Sequence, residues 1–431
     1  MSVFITQNKT RPGVYMNFES MSENLASVSD RGIAVLPLEL DFLQVGEIFT
    51  VDVYTDFLSE FGISLSHNTI LPIREALKNA ESVMVYRLNS GEKAKIETES
   101  YTATAKFPGT YGNEIAFSVT VAPDDMFDVL IYVNNSLYET FTVSNFDEID
   151  SKVIDFAGEI ASFDKTLLEN GTSDSANIDD YAKFFNIIAV EDFNTMAITS
   201  TDVNIKLSAC AFSEEMRDNQ GKKIQIIVEN YPNADFEGVI SVANGVVLED
   251  GTKISASIAT CYVAGAVAGC DINESLTYQV YSGSCEATPK YTNSEICTKL
   301  ENGEFVFVTK RGQAIIEQDI NSFTGYSPTK SNVFSKNRVI RVIDNIATDI
   351  KTLFEDYYLG KVSNNAEGRS LFCAECINYI RTLENIDCVQ DFNSASDILV
   401  ECGDDLDSVV VNLNIKPVDS IEKLYMTVLL S

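Results

Sequence analysis

From residue 93 to residue 178 the chain abandons helical spacing. "KIETESYTATAKF", "NEIAFSVTVA", "FDVLIYVNNSLYETFTV" and "KVIDFAG" alternate apolar with polar residues and are broken by Gly, Pro and Asn. Period-two alternation over several short runs predicts strands, so this stretch is expected to be a small all-β domain. Its flanks differ in kind. Before it, "RGIAVLPLEL" reads as a strand, "FTVDVYTDFLSEFG" as a short helix stopped by Gly62, "TILPIREALKNA" as a helix with Pro72 in its first turn, and "SVMVYRL" as a buried strand. After it come the helix "DDYAKFFNII", the strand "MAITS", the helix "VNIKLSACAFSEEMRDN", the strand "KKIQIIVEN", a strand pair "VISVANGVVLEDG" and the helix "SASIATCYVAGAVAG". "EFVFVTKRGQAIIEQDI" closes the series as a hairpin turned at Lys310, Arg311 and Gly312. Strands alternating with helices predict an α/β body into which the β segment is inserted.

The expected organisation is a body of residues 31–92 and 179–320, an inserted all-β domain of sandwich or barrel type at 93–178, and an α+β C-terminal domain at 321–431. In the last, "VIRVIDNIATDIKTLFEDYYLG" carries apolar residues at 339, 343, 346, 350, 353, 354 and 357, a helical stripe ended by Gly360. "SLFCAECINYIRTLENI" is a second helix, and "DSVVVNLNIKPVDSIEKLYMTVLLS" predicts two strands around a Pro-Val-Asp-Ser turn. A terminal strand this apolar needs a partner. Residues 1–30 join a β-prone start, an "RPGVY" turn and a polar stretch, too little to bury a core, and read as an arm.

Composition excludes several functions. The 431 residues carry 64 Asp and Glu against 31 Lys and Arg, a net charge of -33 that repels phosphate backbones and anionic membrane, so neither nucleic acid nor membrane is an expected partner. "ISASIATCYVAGAVAGC" is too short and too polar to span a bilayer, and "MSVFITQNKTRPGVY" lacks the pattern of a secretory leader. The nine cysteines are scattered over positions 210 to 402, as expected of reduced thiols in a cytosol.

No catalytic constellation emerges. The one histidine, His67 in "SLSHNT", lies before a helix, and no G-x-S-x-G elbow exists to go with it, so a capping or surface role is expected. Cys373 and Cys376 form a lone C-x-x-C within a helical pattern and read as packing residues, since a zinc site needs two further ligands. Gly265 and Gly269 in "AGAVAG" predict close packing of this helix on a sheet. The acidic runs "CGDDLDS" and "NFDEID" fit no calcium loop. No catalytic residue, metal or cofactor is therefore expected. One charge anomaly stands out: no acid falls between Asp319 and Asp344, whereas Lys330, Lys336, Arg338 and Arg341 do, which suggests a basic face for an acidic partner.

Several stretches, in order, resemble the tail sheath family of contractile phage tails and related contractile injection systems. "LPIREALKNAESVMVYRLNSGEKAK" resembles its helix, strand and "yRl…G.kA" segment, "FPGTYGNEIAFSV" its "PGt.GN.i.v.v" signature, and "SIATCYVAGAVAGCDINESLTY" its "a..aGl.Ag…..s.T" helix. "RPGVYMNF" and the last 120 residues also fit. The resemblance implies a subtilisin-like sheath body and a non-enzymatic subunit made in the bacterial cytoplasm and stacked as hexameric rings around an inner tube. Such an assembly is built extended and contracts to drive the tube through an envelope. Implied partners are neighbouring sheath subunits, the tail tube protein, the baseplate and the tail terminator or collar. The rivals are an acidic surface or adhesive array protein and an enzyme of subtilisin-like topology.

The strand patterns at the ends nominate two inter-subunit arms, completed by neighbours through β-augmentation. In the N-terminal arm the candidates are Val3, Phe4, Ile5, Val14 and Tyr15; in the C-terminal arm, 409–431, they are Val411, Leu413, Ile415, Leu424, Tyr425 and Val428. Lys330, Lys336, Arg338 and Arg341 are the candidate tube-facing patch. No G-x-x-x-x-G-K-[ST] loop is present, so contraction is expected to draw on relaxation of a metastable assembly.

Overall fold

The computed structural model of the chain describes residues 28, 29, 31–65 and 67–430. Two compact units divide it: a larger one of 31–348 with 419–430, and a smaller one of 28, 29 and 349–418.

The larger unit is centred on a seven-stranded sheet. Its spatial order is Glu304–Phe305, Val239–Val242, Gln225–Glu229, Thr195–Ile198, Ile33–Leu38, Ser82–Arg87 and Ile48–Asp52. Neighbours run parallel except at the last pair, where Ile48 lies antiparallel opposite Tyr86. Continuous apolar runs such as "IAVLPL" are what a sheet covered on both faces requires. Helices α1 (Phe57–Phe61), α2 (Leu71–Ala76), α3 (Ile178–Ile188), α4 (Val203–Glu214) and α5 (Ala256–Gly269) surround it. Ala34, Leu36, Val83, Val85 and Ile227 share one core with Ile73 and Ala76 of α2 and Ala259 and Val263 of α5. Val35, Tyr86, Met196 and Val228 turn the other way, onto Phe184 and Ile188 of α3 and Ile205 and Ala209 of α4. The result is three layers, with α3 started by a reciprocal Asn177/Asp180 capping box.

Three expectations change here. "FTVDV" belongs to the edge strand Ile48–Asp52, and the helix begins only at Phe57, where Asp56 caps it. "VISVANGVVLEDG" forms two strands that do not pair with each other: Val239–Val242 joins the large sheet, while Gly245–Leu248 pairs antiparallel with Lys253–Ile254 and Ser284–Thr288. The glycines of α5 pack against a helix, since a Cβ at Gly265 or Gly269 would run into the carbonyl oxygen of Ala76 or Asn79 beside α2. The hairpin Phe307–Lys310 with Gln313–Ile316 forms as read, turned at Arg311 and Gly312 with positive φ of 54° and 79°.

The β segment folds as two antiparallel sheets. One holds Lys93–Glu97, Tyr101–Pro108 and Ile154–Gly158; the other holds Phe163–Leu167, Ile115–Val121, Phe127–Val133 and Ser136–Val143. Aromatic rings fill the space between them, with Tyr101 stacked on Phe163 at 4.7 Å and Phe146 on Phe156 at 4.9 Å. The "FPGTYGN" corner joins this segment to the central sheet's loops. Gly109, at φ 135°, lies so close to the Asp41 carbonyl that no side chain fits, and the Tyr111 hydroxyl donates to the Gly62 carbonyl at 2.6 Å. At Gly112 it is smallness that matters, making room for the methyls of Ala94 and Ala105.

After α6 (Asn293–Glu301) comes α7 (Asn337–Leu353), extended by one wider turn at Phe354–Tyr358. In the smaller unit, α8 (Ala366–Asn385) buries Phe372, Cys376, Tyr379, Ile380 and Leu383. The hairpin Ile398–Cys402 with Val409–Leu413 and the short pairing of Val389–Gln390 with Lys416–Pro417 complete it. The second terminal strand expected after the Pro-Val-Asp-Ser turn is not formed: residues 418–430 run without strand pairing among the described residues.

Candidate assembly site

The C-terminal arm candidates fall into two groups. Val411 and Leu413 sit within the hairpin of the smaller unit, opposite Val400 and Ile398, and Ile415 follows between that hairpin and the Lys416–Pro417 pairing. That hairpin is a two-stranded sheet; among the described residues no third strand pairs with either edge. Leu424, Tyr425 and Val428 lie instead on the extended segment, 83%, 89% and 66% exposed, with Ile421, Leu429 and Leu430 above 90%. Among the described residues nothing covers this run of large apolar side chains. Val3, Phe4, Ile5, Val14 and Tyr15 lie outside the described residues.

The basic window does not make an exposed cationic face. Arg341 is 1% exposed and its Nη2 donates to Asp319 at 2.9 Å. Lys330 reaches Glu237 at 2.7 Å, and Lys336 is paired with Glu422. Arg338 is half-buried. The acids that answer Lys330, Lys336 and Arg341 are the chain's own, as a chain with twice as many acids as bases readily supplies.

Around them runs a buried polar network that fastens the first turns of α7 to the body. Asp319 Oδ1 accepts from Asn337 Nδ2 at 2.9 Å, and its Oδ2 accepts from Leu276 N at 3.1 Å besides Arg341. Asn337 Oδ1 in turn accepts from Gln225 Nε2 at 3.2 Å. Arg217 pairs with Asp344. Thr277, Gln318, Asp319, Asp344 and Glu422 escaped the sequence reading. A signal was there in part: Asp319 and Asp344, which bound the acid-free window, are themselves the partners of Arg341 and Arg217.

The reactive-looking residues have structural surroundings. His67 Nδ1 accepts from Thr69 N at 3.4 Å and caps a short 3₁₀ turn. Cys376 is fully buried in α8, and burial, with Cys373 and Glu375 nearby, pushes its thiol up to about 12, away from the reactive thiolate. Among the described residues no cluster of His, Cys, Asp and Glu could hold a metal, and no helix is long and apolar enough to cross a membrane.

Three family profiles cover most of the chain: the tail sheath protein domain III N-terminal region at 31–88, the phage tail sheath protein central domain at 174–322, and the phage tail sheath C-terminal domain at 329–431. The sheath tail protein of Desulfitobacterium hafniense is 40% identical, over 96% of this chain and 99% of that one, with a TM-score of 0.88. The sheath tail protein of Listeria innocua is 34% identical, over 94% and 96%, with a TM-score of 0.78. The contracted helical sheath of the anti-feeding prophage shares the fold at 12% identity and a TM-score of 0.59, over 98% of this chain and the whole of that one. These likenesses make the molecule a structural component of a phage tail or phage-tail-like particle. The chain belongs to the phage tail sheath family.

Proposed function

We propose that the chain is the repeating subunit of a contractile sheath, stacked as hexameric rings around an inner tube and relaxing from a metastable extended state to drive that tube through an envelope. The observation that carries this is the pairing of two incomplete elements in one chain: an exposed apolar segment at 421–430 and a two-stranded sheet with open edges at 398–413. Each supplies what the other lacks, but on different copies, and head-to-tail pairing of unlike surfaces builds an open helical array. Val411 and Leu413 then belong to the receiving sheet, while Leu424, Tyr425 and Val428 belong to the arm; the N-terminal candidates remain a second arm.

The subunit is made in the bacterial cytoplasm, with subtilisin-like layering in its three-layer body and no catalysis of its own. Its further partners are the tube protein, the baseplate and the terminator or collar, with no role for nucleic acid, membrane insertion or a cofactor. The 330–341 window, with Lys330, Lys336, Arg338 and Arg341, faces the tube in the extended state. Negative-stain microscopy tests the reading: the full chain forms striated tubes or cogwheel rings, and a chain ending at Glu422 stays folded and unpolymerised. Normal tubes from the truncated chain overturn it.

A further inference from the structure

The C-terminal segment does not leave the body freely. At Asp419 the chain returns to the larger unit, and Glu422 turns inward between the exposed Ile421 and Lys423. Its Oε1 accepts from Thr277 Oγ1 at 2.9 Å, and its Oε2 accepts from Gln318 Nε2 at 2.6 Å and from Lys336 Nζ. The three donors come from three stretches: the loop after α5, the end of the Gln313–Ile316 hairpin strand, and the residue before α7. Behind them the contact continues inward. Thr277 Oγ1 also accepts from the backbone N–H of Asp319 at 3.0 Å, and Asp319 holds Asn337 and Arg341. Among the described residues, no hydrogen bond or ion pair holds any of 423–430.

A carboxylate 12% exposed in a stretch otherwise turned to solvent is desolvated at a cost, and it is tolerated because three donors converge on it. A tail free along its whole length would lose its conformational entropy when captured, whereas a tail fixed at its root loses less and presents itself at one place. We propose that Glu422 is the positioning residue of the C-terminal arm: its carboxylate fixes where residues 423–430 leave the body, so that a neighbouring copy meets them in one register and tension on the arm passes through Lys336 into α7. This rests on the reading of 423–430 as an inter-subunit arm.

Trypsin cleavage after Lys423, followed by mass spectrometry on the unassembled full chain at pH 8, reads the anchor without assembly. Glu422→Ala and Gln318→Ala are each expected to speed cleavage, the first by about tenfold as its charge-assisted bonds are lost. The paired swap Glu422→Lys with Lys336→Glu adds a trypsin site at position 422 and is read by assembly alone; Lys336→Ala, which leaves the cleavage site unaltered, is expected to speed cleavage as Glu422→Ala does. Unchanged cleavage in Glu422→Ala, with an unchanged melting temperature, overturns the anchor. Assembly reads its purpose: Glu422→Ala needs roughly tenfold more protein to form tubes, as lost pre-organisation predicts, and the swap recovers it. Faster cleavage with normal assembly overturns the positioning role while leaving the arm in place. Normal assembly of the chain ending at Glu422 instead overturns the arm reading itself.

Discussion

Arg217 holds Asp344 by both carboxylate oxygens, Nη1 to Oδ2 at 2.8 Å and Nη2 to Oδ1 at 2.7 Å, with each side chain 5% exposed. The fork joins the turn after α4 to the first half of α7. Removing one partner strands a buried charge, so Asp344→Ala is expected to cost about 3–5 kcal/mol, while Arg217→Met with Asp344→Leu costs less than either single change. Urea unfolding of the unassembled chain by circular dichroism measures this. Strict additivity of the two changes would count against a coupled pair.

Gly265 sets the distance between α5 and α2. Any Cβ there meets the Ala76 carbonyl, which is backbone and cannot swing away, and α5 is buried on nearly every side. Gly265→Val should therefore cost at least about 3 kcal/mol and leave the chain insoluble or molten, whereas Gly312→Ala, facing open space at a turn tip, costs less than about 2 kcal/mol from its positive φ. Soluble yield and melting temperature report the difference.

The layers of the body were legible because pattern and burial coincide there: "IAVLPL" is apolar throughout and the strand is covered on both faces. Where the sequence misled, tertiary pairing had overridden local signal. "VISVANGVVL" has the look of a hairpin, but Asn244 instead donates its amide to the Phe307 and Pro289 carbonyls and accepts from Phe307 N, splitting the run between two sheets. The internal partners of the basic window were hidden for another reason. Charge counted along the chain ignores acids remote in sequence, and Glu237 and Glu422 lie 93 and 86 residues from the lysines they hold. Exposure of the C-terminal apolar run could be foreseen from its lack of an assignable core; the anchoring role of one glutamate within it could not, because its three partners come from elements far apart in sequence.

Arg87 ties the β segment to the central sheet without a carboxylate in its hydrogen-bond shell. Its Nη1 donates to the carbonyls of Phe42, Leu43 and Pro108, and its Nε to that of Asn89 at 3.1 Å. Burial lowers its pKa to about 10 against a small opposing pull from Asp41, and it stays charged at neutral pH. Arg87→Met leaves those carbonyls unanswered and is expected to cost at least about 2 kcal/mol. Arg87→Lys, with one ammonium for a planar fork, recovers only part of it. Hydrogen exchange at 107–112 should rise in Arg87→Met before exchange in Thr195–Ile198 does; simultaneous rise would show that the tie serves the whole body.

The Glu422 anchor should loosen in acid. Burial alone would raise the Glu422 pKa, but the bonds from Lys336, Gln318 and Thr277 outweigh it and hold it below the ordinary glutamate value. A carboxylate whose folded pKa is depressed stabilises the fold fully above its unfolded pKa, about 4.3, and loses that contribution as pH falls through the lower folded value. Asp419, 3.9 Å from Lys336, shares the same ammonium. A fluorinated phenylalanine at position 425 provides one ¹⁹F signal for the arm. Its line should stay broad at neutral and mildly acidic pH and narrow only once the pH has fallen below the ordinary glutamate value. In Glu422→Gln the line should already be narrower at pH 7, because the neutral amide gives up the ion pair with Lys336 while matching its shape. A line as broad in Glu422→Gln as in the parent, with the chain otherwise folded by circular dichroism, would show that the charge does not hold the arm.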